Sequence, residues 1–461
     1  MRIVLLNSST VSKPKDYIQH TWPWLRIGVA SIAAYLRSKG HDVFLFDPQA
    51  ENLEAGEAAD KACSFRPDYV GLSAYTHEIH DAAEIARRIK ERIPQTVVVV
   101  GGYHPSGMPE ETLAEFDSFD IAVYGEGELP FEEIAAGRPL AEIQNIAFRD
   151  ADGPIRLNEP RTEHISLDAL PIPAWDLYQL DKYRLFNMQV ESVRGCPYGC
   201  LFCLKARGAK VRYKTPGRVL DELEQVIARY GLRRIFLGGN GSFPLDRQHA
   251  LDICNGIIAR GLDIEWITGA RIDVLDDELL AKMRQSGCYY IDIGTESGDP
   301  EILKKCGKGF DPDAAERAVK ACHKAGIETE LNFVLGLPGE TRASLRNTLK
   351  FANRLRMHST LANFAMLTPY PGTTVYEMAS RNEGGMRLKT RDWRQYLKFV
   401  GDIIEYDHFK PGELAHIQAR MCLSYYFGSP FKIFQLLNSK VAKDFDLFDV
   451  RRFLQVLRRI F

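Results

Sequence analysis

Long apolar runs are absent from this 461-residue chain. No stretch approaches the roughly 18 apolar residues that a membrane-spanning helix needs. The N-terminus, MRIVLLNSST, has a short apolar run and then turns polar, without the longer stretch and small-residue cleavage site of an export signal. These absences make the expected location cytoplasmic. A charge excess is lacking too. The 59 Lys and Arg against 61 Asp and Glu leave a formal net charge of −2, which gives no electrostatic case for nucleic-acid binding. Nine cysteines in a large chain argue against a disulfide framework. What is present is a globular composition, 45% hydrophobic and 26% charged, long enough for two or three domains.

Strand-like and helix-like segments alternate along most of the chain. RIVLL (2–6), VFLFD (43–47), PDYVGLSAY (67–75), TVVVVGG (96–102) and FDIAVYGEGE (119–128) read as strands, with helical periods over 25–39 and 79–93. The pattern predicts an α/β first domain over 1–140, a doubly wound parallel sheet with its functional loops at the C-terminal strand ends. Residues 141–185, with Pro171 and Pro173 and no clear period, read as an extended bridge. Six further βα repeats follow over 186–385, too few to close an eight-fold barrel, so a partial (βα)6 barrel is expected. Residues 386–461 lose the alternation and read as a mainly helical cap over the barrel mouth. At the end, Phe453, Leu457, Ile460 and Phe461 share one helical face, with Arg451, Arg452, Arg458 and Arg459 mostly opposite. That stripe reads as a docked helix or as peripheral contact with an anionic membrane surface.

Six cysteines are scattered singly, and three lie within eight residues, in VRGCPYGCLFCLKA. Cys196, Cys200 and Cys203 form a CxxxCxxC spacing that can wrap one face of an iron–sulfur cubane and leave the fourth iron open. Structural zinc would want a second CxxC or HxxxH pair, which the sequence lacks.

This motif, with Phe202 before its third Cys, resembles the signature of the radical S-adenosylmethionine (SAM) superfamily. The resemblance implies a [4Fe–4S] cluster on the first barrel loop, with SAM chelating the open iron and cleaved to a 5′-deoxyadenosyl radical. It assigns Gly238, Gly239 and Asn240 to the methionine amino group, although Asn240 stands where the family has Glu. It assigns Glu296 to the ribose hydroxyls and the NFVLGLPGE segment, with Gly336 and Gly339, to the adenine. PYPGT (369–373) matches the end of the sixth strand. Arg271 either pairs SAM's carboxylate or forms a structural ion pair.

The glycine loops of the first domain, followed by such a core, resemble the cobalamin-dependent class of that superfamily. The resemblance implies cobalamin between the two domains, contacted by Ser73, Thr76, Gly101, Gly102, Gly125 and Glu126. The DxHxxG motif that supplies a lower cobalt ligand in many such domains is missing; the loop reads NSSTVSKPKDYIQH. No His ligand below the cobalt is therefore expected, although His104, after the GG turn, could approach the corrin. The leading expectation is a cobalamin-dependent C-methyltransferase acting on an unactivated carbon of a small-molecule or lipid-like substrate, fed by an electron donor such as flavodoxin or ferredoxin. The alternative is a cyclase or oxidoreductase of the same architecture. An iron–sulfur sensor is less favoured because it needs no SAM site. Methylthio transfer is disfavoured because only Cys63 precedes Cys196.

Overall fold

The computed structural model describes residues 1–10, 25–150, 153–183, 188–206, 208–239, 243–397 and 403–441. The first unit runs β1 (Arg2–Asn7), α1 (Ile27–Ser38), β2 (Asp42–Phe46), α2 (Ala55–Ser64), β3 (Tyr69–Ser73), α3 (Ile79–Arg92), β4 (Val97–Gly101), α4 (Tyr103–Gly107), α5 (Pro109–Glu115), β5 (Ile121–Val123), α6 (Glu128–Ala135), β6 (Ile146–Arg149) and β7 (Ile155–Leu157). Its sheet has the order β2-β1-β3-β4-β5-β6-β7, parallel through β5. The chain reverses direction across the sheet between β1 and β3, where an open α/β sheet forms its ligand crevice. Strand residues alternate between two cores. Ile3, Leu5, Val99 and Val123 pack with α1 and α6, while Val4, Leu6, Val70 and Val98 pack with α2 and α3. The sheet continues past residue 140, the expected boundary, through the antiparallel β6 and β7. Strands of four and three residues are too short to show a period in the sequence.

The bridge is less extended than its prolines suggest. It folds through short 3₁₀ turns and buries Trp175, Tyr178 and Tyr183 in a core shared by both units.

The second unit runs β8 (Met188–Arg194), β9 (Arg212–Tyr213), α7 (Pro216–Tyr230), β10 (Arg234–Gly239), α8 (Arg247–Ala259), β11 (Glu265–Ala270), α9 (Asp277–Gln285), β12 (Cys288–Glu296), α10 (Pro300–Lys305), α11 (Pro312–Lys324), β13 (Glu328–Leu335), α12 (Arg342–Leu355), β14 (Leu361–Met366) and α13 (Thr374–Ser380). Local signals set these helices. Thr215, Asp246, Asp276, Asp311 and Thr341 each accept a backbone N–H at their helix N-terminus. The sheet order is β14-β13-β12-β11-β10-β8-β9, with six parallel strands and an antiparallel two-residue edge. It stays open between β14 and β9, as the six-repeat count predicts. Helices cover the face carrying Ile291, Ile293, Leu331, Phe333 and Phe364. Gln189, Tyr290, Asp292, Gly294, Glu330 and Asn332 alternate with buried outer-face residues and line the inner face.

The C-terminal segment contains β15 (Met386–Leu388), β16 (Ile404–Tyr406), α14 (Glu413–Phe427) and α15 (Pro430–Asn438). Its described part does not cap the mouth as a helical lid. Trp393 and Tyr396 pack against the first unit, with the Trp393 indole N–H donating to Glu115 at 2.9 Å. Helix α14 covers the edge strand β14, where Gln418 donates to the Phe364 carbonyl at 2.6 Å. Residues 439–441 then close the N-terminal end of the barrel. Lys440 N–H donates to Glu328 at 2.8 Å, and Val441 packs with Tyr289 and Tyr290. The arginine-bearing stripe at 451–461 lies outside the described residues. No described helix is long and apolar enough to cross a membrane.

Candidate active site

The cysteine loop leaves the C-terminal end of β8. Gly195 turns it with φ of 87°, and a Cβ there would lie 2.1 Å from the Lys210 carbonyl, so only glycine fits. Cys196 N–H donates to the Gly208 carbonyl at 3.3 Å, and Cys203 N–H to that of Cys200 at 3.1 Å. All three thiols are free of disulfides and within electrostatic reach of one another. Burial pushes the Cys200 and Cys203 thiols up, and Lys308 pulls them back. Among the described residues, no three His, Cys, Asp or Glu side chains converge on a single metal ion. A cubane has no such need, because each thiolate binds a different iron. Three free thiols on one loop therefore fit a cluster with one open iron.

The 304–310 loop backs the cysteines. Leu201 N–H donates to the Cys306 carbonyl at 3.3 Å, and Gly307 lies against Gly199. From this loop Lys308 reaches Glu296, Nζ to Oε1 at 2.9 Å, with both side chains buried. Glu296 is no surface carboxylate. Its φ is 57°, at a register shift between β12 and β13. A non-glycine residue in that region stores backbone strain, which clusters at functional sites. Gly294 leaves room for the pair, since a Cβ there would lie 2.7 Å from Glu296 Oε1. Sequence reasoning missed Lys308, though a lysine between two glycines, CGKGF, was a visible signal. Arg271 makes a structural contact. Its guanidinium pairs with Asp273 at 2.6 Å, donates to the Lys308 carbonyl at 2.6 Å and stacks 3.4 Å over the Tyr198 ring inside the cysteine loop. Phe202 packs in a small core with Leu337 and Val375. Gly336 is covered by Tyr406, whose hydroxyl donates to its carbonyl at 2.9 Å.

Between the two units lies a cleft of about 500 Å³. From the first unit it is lined by the C-terminal ends of β3, β4 and β5 and by the start of α1, including Ser73, Gly101, Gly102, Gly125 and Glu126. From the barrel come Gln189, Glu191, Arg194, Phe236, Gly238 and Gly239. Gly239 is required by its neighbour strand, because a Cβ would lie 1.8 Å from the Val193 carbonyl. At Gly101 nothing lies closer than 3.6 Å, so its missing side chain widens the cleft itself. Two expected contacts do not face this space. Thr76 is buried at the start of a 3₁₀ turn. His104 is fully buried, with its ring 5.0 Å from that of Trp393. In the short helix α4, adjacent residues point different ways, so Tyr103 lines the cleft and His104 turns into the core. That corrects the expectation that His104 approaches the corrin. No described cleft-lining residue is a histidine. Asn240, His20 and most of the loop after β1 lie outside the described residues.

A buried ion network crosses the cleft. Arg194 is paired with Glu191 at 2.7 Å in the barrel, and with Glu128 at 2.8 Å and Glu126 at 3.0 Å in the first unit. Arg212 also pairs with Glu126. Thus Glu126 ties the two units together as well as lining the cleft.

The family model for the B12 binding domain matches residues 22–135, and that for the radical SAM superfamily matches 190–352. An uncharacterized methyltransferase of Pyrococcus horikoshii is 34% identical over 436 residues, 92% of each chain. The chain belongs to the cobalamin-dependent radical SAM family. It is a radical SAM enzyme, and membership brings the [4Fe–4S] cluster, SAM and cobalamin as its cofactors. An anaerobic magnesium-protoporphyrin IX monomethyl ester cyclase of Rubrivivax gelatinosus is 29% identical, covering 90% of this chain and 75% of its own. The fold matches the radical SAM methyltransferase TsrM of Kitasatospora setae, with TM-score 0.72 and 21% identity over 93% of this chain and 90% of that one. It also matches the cobalamin-dependent radical enzyme OxsB, with TM-score 0.75 and 19% identity over 99% and 72%.

Proposed function

We propose that this enzyme is a cobalamin-dependent C-methyltransferase that acts on an unactivated carbon of a small molecule. The cleft between the cysteine-bearing barrel and the glycine-lined first unit carries the reading, since it gives a second cofactor access to the mouth of the radical site. When bound, the cluster supplies the electron that splits SAM, and cobalamin supplies the transferable methyl group. Cys196, Cys200 and Cys203 hold the cluster. Glu296 accepts from the ribose hydroxyls, and its ion pair with Lys308 orients it. Gly238 and Gly239 let the methionine end approach the backbone. Arg271 fixes the cysteine loop by stacking on Tyr198 and is a positioning residue. Ser73, Gly101, Gly102 and Gly125 would accommodate the corrin.

An electron donor of the flavodoxin or ferredoxin kind supplies the single electron. Peripheral membrane contact is supported by the exposed Phe427 at the end of α14 and the exposed Phe431, Phe434 and Leu437 of α15. The methyl-transfer reading is tested by anaerobic reconstitution with cluster, hydroxocobalamin, SAM and reductant. Bound corrin absorbance and 5′-deoxyadenosine are expected. Absence of the nucleoside would sink the radical chemistry, and absence of the corrin would sink methyl transfer. The cyclase alternative predicts a product that loses hydrogen instead of gaining a methyl group.

A further inference from the structure

The cysteine loop has a thin outer cover. Gly307, in the loop that backs it, is exposed, and a Cβ there would lie 2.8 Å from the Gly199 carbonyl oxygen and 3.8 Å from the Cys200 nitrogen. At this point a single residue without a side chain stands between the Cys200 backbone and solvent. Gly199, directly before Cys200, is exposed as well, and the place of its missing Cβ has no neighbour within 4 Å. Neither glycine lines the cleft between the two units, so this opening is separate from it.

The surroundings of this opening are basic. Helix α10 turns Ile302 and Leu303 inward and leaves Lys304 and Lys305 exposed, directly before Cys306 and Gly307. Lys205, half-buried, follows Cys203 by two residues on the cysteine loop itself. The other cations nearby are committed: Lys308 to Glu296, Arg271 to Asp273, Arg342 to Glu413 and Arg381 to Glu377. Among the described residues, Lys205, Lys304 and Lys305 are in no ion pair. Glu301, a turn earlier on α10, is the acidic residue nearest to Lys304 in the chain, and the three lysines outweigh it.

We propose that this face, centred on Gly307 and bordered by Lys304, Lys305 and Lys205, is where the electron carrier docks, and that the carrier is a small protein with an acidic surface around its redox centre. The inference rests on the radical SAM reading and gives its electron donor a docking site. Electron transfer between proteins slows steeply with distance, so a cover of bare backbone is the place to approach a buried cluster. Such encounters are brief and need little contact area. Lysines at the rim steer an acidic partner to the opening and raise its rate of arrival. The carrier is oxidised by one electron, the cluster is reduced by one, and no bond forms or breaks in this chain.

The test compares two ways of reducing the full chain reconstituted with cluster, cobalamin and SAM. Dithionite is small and needs no docking surface; a reduced acidic flavodoxin and a reduced acidic [2Fe–2S] ferredoxin do. Cluster reduction is read by EPR and SAM cleavage by 5′-deoxyadenosine. Wild type is expected to accept electrons from at least one of the two proteins, more slowly as salt is raised. In the double variant Lys304→Glu/Lys305→Glu that protein-driven rate should fall by about ten-fold or more and lose most of its salt dependence. Iron content and both dithionite-driven readouts should match wild type, and Lys39→Glu, on the far unit, should change nothing. An unchanged protein-driven rate in the double variant overturns the inference. So does an equal loss with dithionite, an equal loss in Lys39→Glu, or failure of both proteins to reduce wild type. Failure of the underlying reading is distinct: wild type with dithionite and SAM would then give no 5′-deoxyadenosine at all.

Discussion

The two halves of this enzyme build their sites by opposite means. In the barrel, chemistry sits on side chains held under constraint: three thiols on a glycine-turned loop, and a buried Glu296–Lys308 pair on a left-handed backbone. In the first unit, the site is mostly space, lined by Gly101, Gly102 and Gly125 at strand ends and widened at Gly101. A reactive cluster must be held by specific atoms, whereas a large preformed cofactor needs room and shape. Arg194 joins the two, being the last residue of β8 before the cysteine loop and the partner of Glu126 and Glu128 across the cleft.

The strongest way to separate the halves is Cys203→Ala. Iron content and 5′-deoxyadenosine formation are expected to fall to background, while corrin absorbance persists. Loss of the corrin as well would show that the halves are not independent. Arg194→Met attacks the joint. Removing one side of a buried ion network leaves uncompensated carboxylates and costs roughly 3–5 kcal/mol. Urea denaturation should show that loss, and corrin affinity and SAM cleavage should decline together.

Titration gives a contrast of sign. Burial raises Glu340 in the barrel to about 8, against the two backbone N–H groups it accepts from Gly336 and Leu337. Between its ordinary pKa of 4.5 and about 8, only the unfolded chain ionises there, so the barrel loses stability as pH rises through that window. His104 in the first unit is lowered to about 3 by burial, with His80 adding to it. Between about 3 and 6.5, only the unfolded chain protonates there, so that half loses stability as pH falls. Thermal melts across pH should flatten on the rising side in Glu340→Gln, by a few kcal/mol at ~1.4 kcal/mol per unit. They should flatten on the falling side in His104→Leu. The smallest effect on folding is expected from Gly101→Ala. Stability should move by less than about 0.5 kcal/mol because the new methyl meets no close neighbour. Corrin affinity should nevertheless weaken several-fold, as read by absorbance titration.

Legibility followed the same division. The barrel strands were visible because each alternates with a capped helix, and the cysteines because their spacing is itself the chemistry. In the first unit, glycines marked the strand ends, but which side of a short helix faces the cleft depends on packing. Tyr103 and His104 are neighbours in sequence, and only the fold sends one to the cleft and the other beneath Trp393. β6 and β7 were too short to show a period.

By itself, the sequence determined the order of the βα repeats and the donor set for the cluster, because periodicity and ligand spacing are local properties. Tertiary structure alone decided that Lys308 reaches Glu296, that Arg194 bridges the two units, and that Gly307 lies against the cysteine loop. Those contacts join residues on separate elements, and their geometry exists only once the strands are in register.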